Sequence, residues 1–263
     1  MPADLVAQMR ACAPGLADGV AFSHVTAARW WRLPLPSDLE QLDGLDVMTR
    51  SGSGQPLRRG LRGHRGVESR AVVRDGSVVL VEVADTWCDL GDLGRRRLGV
   101  EDLVVAGDAA VTRIDEAAGV TRAESVGRQV LAETLRRRVR PRGAVALRQA
   151  LLLVRPGVRS AQESRTRVVF HEAGLPEPEV NAVIADRAGC WLAEGDLVWR
   201  QQRVVAEYQG EVHADRRRRS ADASRRGLLV DEGWSVHEVW AEDLASWGRR
   251  AALVLRVRRS LGL

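Results

Sequence analysis

Gly195-Asp196-Leu197-Val198-Trp199, then Arg203-Val204-Val205-Ala206-Glu207-Tyr208-Gln209-Gly210, is the stretch that decides the fold of the C-terminal third. Val204, Val205 and Ala206 form a short continuous apolar run between turn signals, which reads as a buried strand. Cys190 to Trp199 reads as the strand before it, and Gln201 and Gln202 turn the chain between the two. Side chains two apart on a strand share a face, so Glu207 and Gln209 project together while Tyr208 points away. In a hairpin through Gln201 and Gln202, Asp196 falls near the level of Glu207. A carboxylate near a buried sheet is costly without a partner or a metal, which singles out both acids. Two carboxylates and a backbone carbonyl suit magnesium, with water and phosphate oxygens completing six-fold oxygen coordination.

Working outward, the order predicted from Ser160 is helix, three strands, helix, strand, helix. Ser160 and Glu163 stand in capping-box spacing, and Gly174 stops the helix they open. Val180 to Ala185 is a strand. Asp215 to Glu232 reads as an arginine-rich helix closed by Gly233, Trp234 to Trp240 alternates like a strand, and a last amphipathic helix starts at Asp243. Trp199, Trp234 and Trp240 read as core or rim packing rather than as base-stacking platforms.

The first part is less regular. Ser23 reads as the N-cap of a short helix reaching Trp30 and Trp31. Asp46 to Arg50, Val67 to Val73 and Ser77 to Val83 are β-prone, the last two joined at Asp75-Gly76. Helical spacing then runs over Asp85 to Leu93, Val100 to Thr112 and Thr121 to Arg138, followed by a helix through Leu147, Leu151 and Val154. Pro156-Gly157 marks the approach to the second domain. The expected architecture is α/β: a smaller α+β N-terminal domain over 1–155, then a mixed sheet flanked by helices over 156–263. His24 and His64 lack the partner spacing of metal ligands and read as structural.

Hydrophobic residues at 45% and charged residues at 29% of the 263 describe a chain able to bury ordinary cores. No apolar run is long enough to cross a bilayer and no signal peptide is read, so a cytoplasmic protein with no membrane partner is expected. Cys12, Cys88 and Cys190 are far apart and odd in number, which suggests neither a disulfide framework nor a clustered zinc site. The net charge of +5 permits nucleic-acid binding, and every Lys/Arg-type residue is arginine.

The pattern Gly195 to Trp199, Val205-Ala206-Glu207-Tyr208-Gln209-Gly210, His213, Asp222, Arg225-Arg226 and Gly233-Trp234 resembles the endonuclease family grouped with the very-short-patch-repair endonucleases, in the PD-(D/E)XK superfamily. The likeness covers about Ser160 to Trp247 and implies a restriction-endonuclease-like fold. More loosely, Ser23-His24-Val25-Thr26-Ala27-Ala28, His64-Arg65, Val81 to Leu90 and Glu101 to Asp108 resemble abortive-infection type antitoxin proteins. In those a winged helix-turn-helix usually precedes the first motif; here it is not expected.

The resemblance implies that Asp196 and Glu207 hold magnesium, or manganese, with Glu163 adding a carboxylate. It implies that His213 acts as general base or contacts the scissile phosphate, and that Asp222 and Arg225 support the site. Arg226, Arg216 and Arg217 are candidate phosphate contacts. The implied activity is hydrolysis of DNA phosphodiester bonds, in repair or defence. Gln209 stands where the superfamily usually has lysine, and the chain contains none to replace it. Each site residue also has a plainer reading: a capping box for Glu163, a strand-end cap for Gln209, a loop histidine for His213, and a solvated helix face for Arg216 to Arg219. Two other functions stay open: nucleic-acid binding without turnover, and an antitoxin-like partnership with another protein through the N-terminal half.

Overall fold

The structure, a computed structural model, describes residues 3–54, 59–186, 188–210 and 225–263. The chain divides into two compact units, Met1–Pro156 and Gly157–Leu263, so the N-terminal unit is the larger one, against expectation. It includes the whole run of helices from Val83 to Leu153 that follows the first sheet.

In the N-terminal unit, helix α1 (Ala3–Cys12), strand β1 (Ala21–Phe22), α2 (His24–Trp30) and α3 (Ser37–Glu40) precede β2 (Leu45–Thr49), β3 (Leu61–Arg65), β4 (Val72–Asp75) and β5 (Val78–Val81). The sheet order is β3-β2-β1-β5-β4, mixed in direction. Helices α4 (Val83–Leu90), α5 (Val100–Ala118), α6 (Gly127–Arg137) and α7 (Ala144–Leu153) follow. The expected strand at Val67 is instead a 3-10 turn over Val67–Ser69, entered through Gly66 at φ 104°. The Asp75-Gly76 hairpin forms, with Gly76 at φ 59° and Asp75 opposite Val78.

His24 and His64 lie in a buried polar knot. The rings stack with centroids 3.5 Å apart, and His64 Nε2 lies 2.9 Å from Asp46 Oδ1. Arg62 donates to both Asp46 oxygens at 2.9 Å. Burial alone would raise the Asp46 carboxyl, but the hydrogen bonds from His64 and Arg62 outweigh it and hold Asp46 down at about 2. Buried carboxylates need such partners, and these residues tie β2 to β3.

In the second unit, α8 (Ala161–Glu172) leads into β6 (Glu179–Ala185), β7 (Trp191–Trp199) and β8 (Val204–Tyr208). A helix, α9, described over 225–231, precedes β9 (Ser235–Val239), α10 (Ala241–Leu244) and α11 (Trp247–Ser260). The single amphipathic helix expected from Asp243 is therefore two, because Ser246 starts a new one by accepting from Arg249 N. The sheet order is β6-β7-β8-β9, antiparallel except for the parallel pair β8/β9.

Alternation along the strands sends side chains to two cores. Val169 and Phe170 of α8 and Leu253, Val254 and Val257 of α11 pack with Leu197, Trp199, Val204 and Ala206 on one face. Leu229 of α9 packs with Ala182, Ile184, Val198, Val205 and Trp234 on the other. Trp199 anchors the first core, edge-on to Phe170 and donating from Nε1 to Pro176 O at 2.7 Å.

Candidate functional site

The β7/β8 ladder pairs Trp199 with Val204, Val198 with Val205 and Leu197 with Ala206. At the next step the strands part, and Asp196 Oδ2 accepts the Tyr208 N–H at 2.8 Å. Asp196 and Glu207 are the two residues that continued pairing would have placed opposite one another. The sequence reading places the two at one level through a regular hairpin; the ladder ends one step short of that level.

The β6/β7 ladder is also interrupted there. Val180 pairs with Leu197 and Ala182 with Gly195, passing over Asn181 and Asp196. Asn181 is left-handed at φ 43°, and around it the faces exchange: Val180 and Leu197 belong to one core, Ala182 to the other. A Cβ on Gly195 would meet Val205 Cγ2 at 2.5 Å, so glycine there lets β7 turn over beside β8.

Glu163 reaches this point from the first turn of α8, and its residue is only 7% exposed. Half of the expected capping box forms, since Ser160 Oγ accepts from Glu163 N at 3.1 Å. The carboxylate does not complete the box. Its Oε2 accepts instead from Arg159 N at 3.1 Å and from Asn181 Nδ2 at 2.7 Å, and Asn181 Nδ2 also donates to Gly157 O at 2.9 Å. Burial, first, and the negative charge of Glu163 raise the Asp196 carboxyl to about 6, against the Tyr208 N–H and the positive charges of Arg225 and Arg159.

Glu207, buried at the end of β8, accepts from Arg225 Nη2 at 3.1 Å. Arg225 Nη1 donates to Glu194 O at 3.2 Å, and the Glu194 carboxylate pairs with Arg159 at 2.8 Å. Arg226 pairs with Glu238, the residue beside Glu207 in the parallel register, so consecutive arginines of α9 offset two adjacent like charges. Gln209 is half-buried, and its N–H donates to Val239 O at 2.8 Å, extending the β8/β9 ladder. His213, Asp222, Arg216 and Arg217 lie outside the described residues.

Asp196, Glu163, Arg159 and Arg225 thus act on one another electrostatically, with Glu207 joined through Arg225. Sequence reasoning missed Asn181, Arg159 and Glu194. The signal for Asn181 was present: an amide inside the apolar run Val180 to Ile184 needs a partner as much as Asp196 does. Among the described residues, no group of three or more His, Cys, Asp or Glu side chains could hold a metal ion. Also among the described residues, no helix is long and apolar enough to cross a membrane.

No family model matches the chain, and no solved structure matches it. Two proteins of Mycobacterium tuberculosis do, both called uncharacterized, one from strain CDC 1551 / Oshkosh and one from strain ATCC 25618 / H37Rv. Each is 34% identical over 118 residues, which is 44% of this chain and 43% of the relative. The chain therefore spans less than half the length of the curated relatives it matches.

Proposed function

We propose that the C-terminal unit is a metal-dependent DNA endonuclease of the very-short-patch-repair-like kind, within a restriction-endonuclease-like fold. The observation that carries the reading is the meeting of Asp196 with Glu163 and Arg159 at the point where β7 leaves β8, with Glu207 the next residue of β8 after the last paired one. A buried carboxylate, Glu163, and a half-buried one, Asp196, repelling one another are the electrostatic situation that a divalent cation relieves. Their hard oxygen donors fit magnesium or manganese, and Asp196 Oδ1 has no hydrogen-bond partner among the described residues. A three-carboxylate cage is not required, because magnesium usually keeps several waters and takes one or two protein carboxylates plus substrate phosphates.

Asp196 and Glu207 would hold the ion, and Asn181 would fix the rotamer of Glu163 beside them. When bound, the cation would supply Lewis-acid polarisation of the phosphoryl oxygen and a more acidic water. Arg159 and Arg225 would offset charge developing on the phosphate, a task for which guanidinium suits as well as lysine. Gln209 brings an amide where a cation is usual, so charge must come from these arginines.

The test is cleavage of plasmid and oligonucleotide DNA with magnesium or manganese by the full chain and by Asp196→Asn. Cleavage by the first and not by the second supports the reading; identical behaviour of the two sinks it.

One observation favours a second reading. Arg225 already pairs with Glu207, so the protein itself supplies a cation to that carboxylate. In a nucleic-acid-binding protein without turnover, DNA would be retained with a steep salt dependence and no metal requirement. Among the described residues, nothing comparable favours an antitoxin-like role for the N-terminal unit.

A further inference from the structure

Glu207 and Arg225 are unequal partners. The Glu207 side chain is 10% exposed and stands on the paired strand β8, whereas the Arg225 side chain is 34% exposed and belongs to the first described residue of α9. The arginine is also divided between two acceptors. Its Nη2 donates to Glu207 Oε2 at 3.1 Å and its Nη1 to Glu194 O at 3.2 Å, so no fork closes on either. Arg159 shows the contrast: Nη1 and Nη2 each lie 2.8 Å from one oxygen of the Glu194 carboxylate, the two-pronged geometry that suits a guanidinium. Of these two arginines, Arg225 is the one held by long, single bonds.

The same guanidinium acts on the second acid. Its positive charge lowers the Asp196 carboxyl, against the burial and the Glu163 charge that raise it to about 6. Asp196 and Glu207 thus share Arg225, as they would share a divalent cation. A buried carboxylate stripped of its counter-charge is costly, so the metal-free fold needs a stand-in for that cation. A guanidinium supplies charge and directed donors; a divalent cation brings twice the charge and binds carboxylate oxygen directly. Arg225 also cannot hold Glu207 and offset charge on a phosphate at the same time.

We infer that Arg225 is an exchangeable counter-ion of this site: it holds Glu207 while the site is free of metal, gives the carboxylate up when a divalent cation binds, and is then available to a phosphate of the strand. This exchange rests on the metal-dependent reading of the unit and gives one arginine two tasks in sequence.

Manganese binding is measured by calorimetry, without DNA, on the full chain and on Arg225→Gln, Arg225→Ala, Arg225→Lys, Arg226→Gln and Asp196→Asn, with circular dichroism to check folding. Arg226→Gln is the matched control, because Arg226 is the next residue of α9 and pairs with Glu238, the neighbour of Glu207 in the parallel register. Arg225→Gln and Arg225→Ala should bind manganese about tenfold more tightly than the unmodified protein, since no ion pair has to open first. Arg226→Gln and Arg225→Lys should stay within about threefold of it, the range of a charge change in solvent. Asp196→Asn should lose the binding. An arginine that only supports the fold would give no gain on removal. A labelled DNA duplex supplies a second readout by anisotropy, with calcium as the ion. Arg225→Gln should bind the duplex about tenfold more weakly than the unmodified protein when calcium is present, and about equally without it.

Manganese affinity unchanged or lowered in Arg225→Gln and Arg225→Ala, with the unmodified chain binding the ion, overturns the exchange and leaves the nuclease reading intact. The expected gain in affinity, in a protein that cuts no DNA, keeps the exchange and removes the enzyme. No manganese bound by any of the proteins overturns both.

Discussion

The Tyr208 N–H, freed where β8 loses its pairing with β7, is taken by the Asp196 carboxylate at 2.8 Å. A side chain thus substitutes for a ladder carbonyl, and in doing so it holds a half-buried negative charge near that of Glu163. The local structure and the candidate chemistry share one atom, which sets the first expectation.

Asp196→Asn keeps an oxygen to accept the Tyr208 N–H and removes the charge. The Asp196 carboxyl lies at about 6 in the fold, above its ordinary 3.8. The cost of ionising it in place is therefore absent below about pH 4, grows between pH 4 and 6, and is complete above that, on the order of 3 kcal/mol. Without metal, urea unfolding should find the asparagine variant more stable at pH 8 and equal at pH 3.5. Magnesium should stabilise only the unmodified protein; stabilisation of both would place the ion elsewhere.

Asn181 combines a left-handed backbone with a hydrogen bond to a buried carboxylate. Asn181→Ala loses the bond and strains the backbone, and should cost about 3 kcal/mol; Asn181→Gly loses only the bond and should cost about 1 kcal/mol less. Thermal unfolding of the pair separates the two contributions. Equal losses would mean that the backbone carries no strain.

The Asp46 carboxyl, held at about 2 by His64 and Arg62 against the cost of burial, works in the opposite sense from Asp196. Its contribution is fully present above about pH 4 and is lost as the pH falls from 4 toward 2. Asp46→Asn should cost about 2 kcal/mol at pH 7 and much less near pH 2. A penalty independent of pH in that window would show that shape, rather than charge, matters at this position.

Burial pushes the Cys88 thiol up to about 12, whereas Cys190 is exposed. A thiol reagent at pH 8 should label Cys190 within minutes and Cys88 only after denaturant is added, as read by peptide mass. Rapid labelling of Cys88 in the folded protein would mean that α4 opens readily.

Near the site, the strands and the entry to α8 were legible because each rests on local physics. Val204 to Ala206 is apolar between turn signals, Ser160 caps a helix, and Gly174 ends it at φ 71°. Strand β3 was not legible, because Leu61-Arg62-Gly63-His64-Arg65 has no apolar alternation. It exists as a strand through its parallel register with β2 and the Asp46 pairings that β2 provides. Strand β1, two residues long, forms only because β2 and β5 flank it. Arg159 and Glu194 were invisible for the same reason: their partners lie far along the chain.

What the sequence by itself determined, then, is the periodic part: the order of helices and strands around Asp196 and Glu207, and the absence of any lysine to stand beside them. The tertiary structure alone decided where β7 leaves β8, that Glu163 turns from its cap toward Asn181, and that Arg225 rather than a residue of the strand faces Glu207. The physical reason is range. Propensity, capping and alternation act over a few residues and are written in the local order of side chains. Burial, the repulsion between Glu163 and Asp196, and the pairing that offsets it act through space, between residues that only the folded sheet brings together.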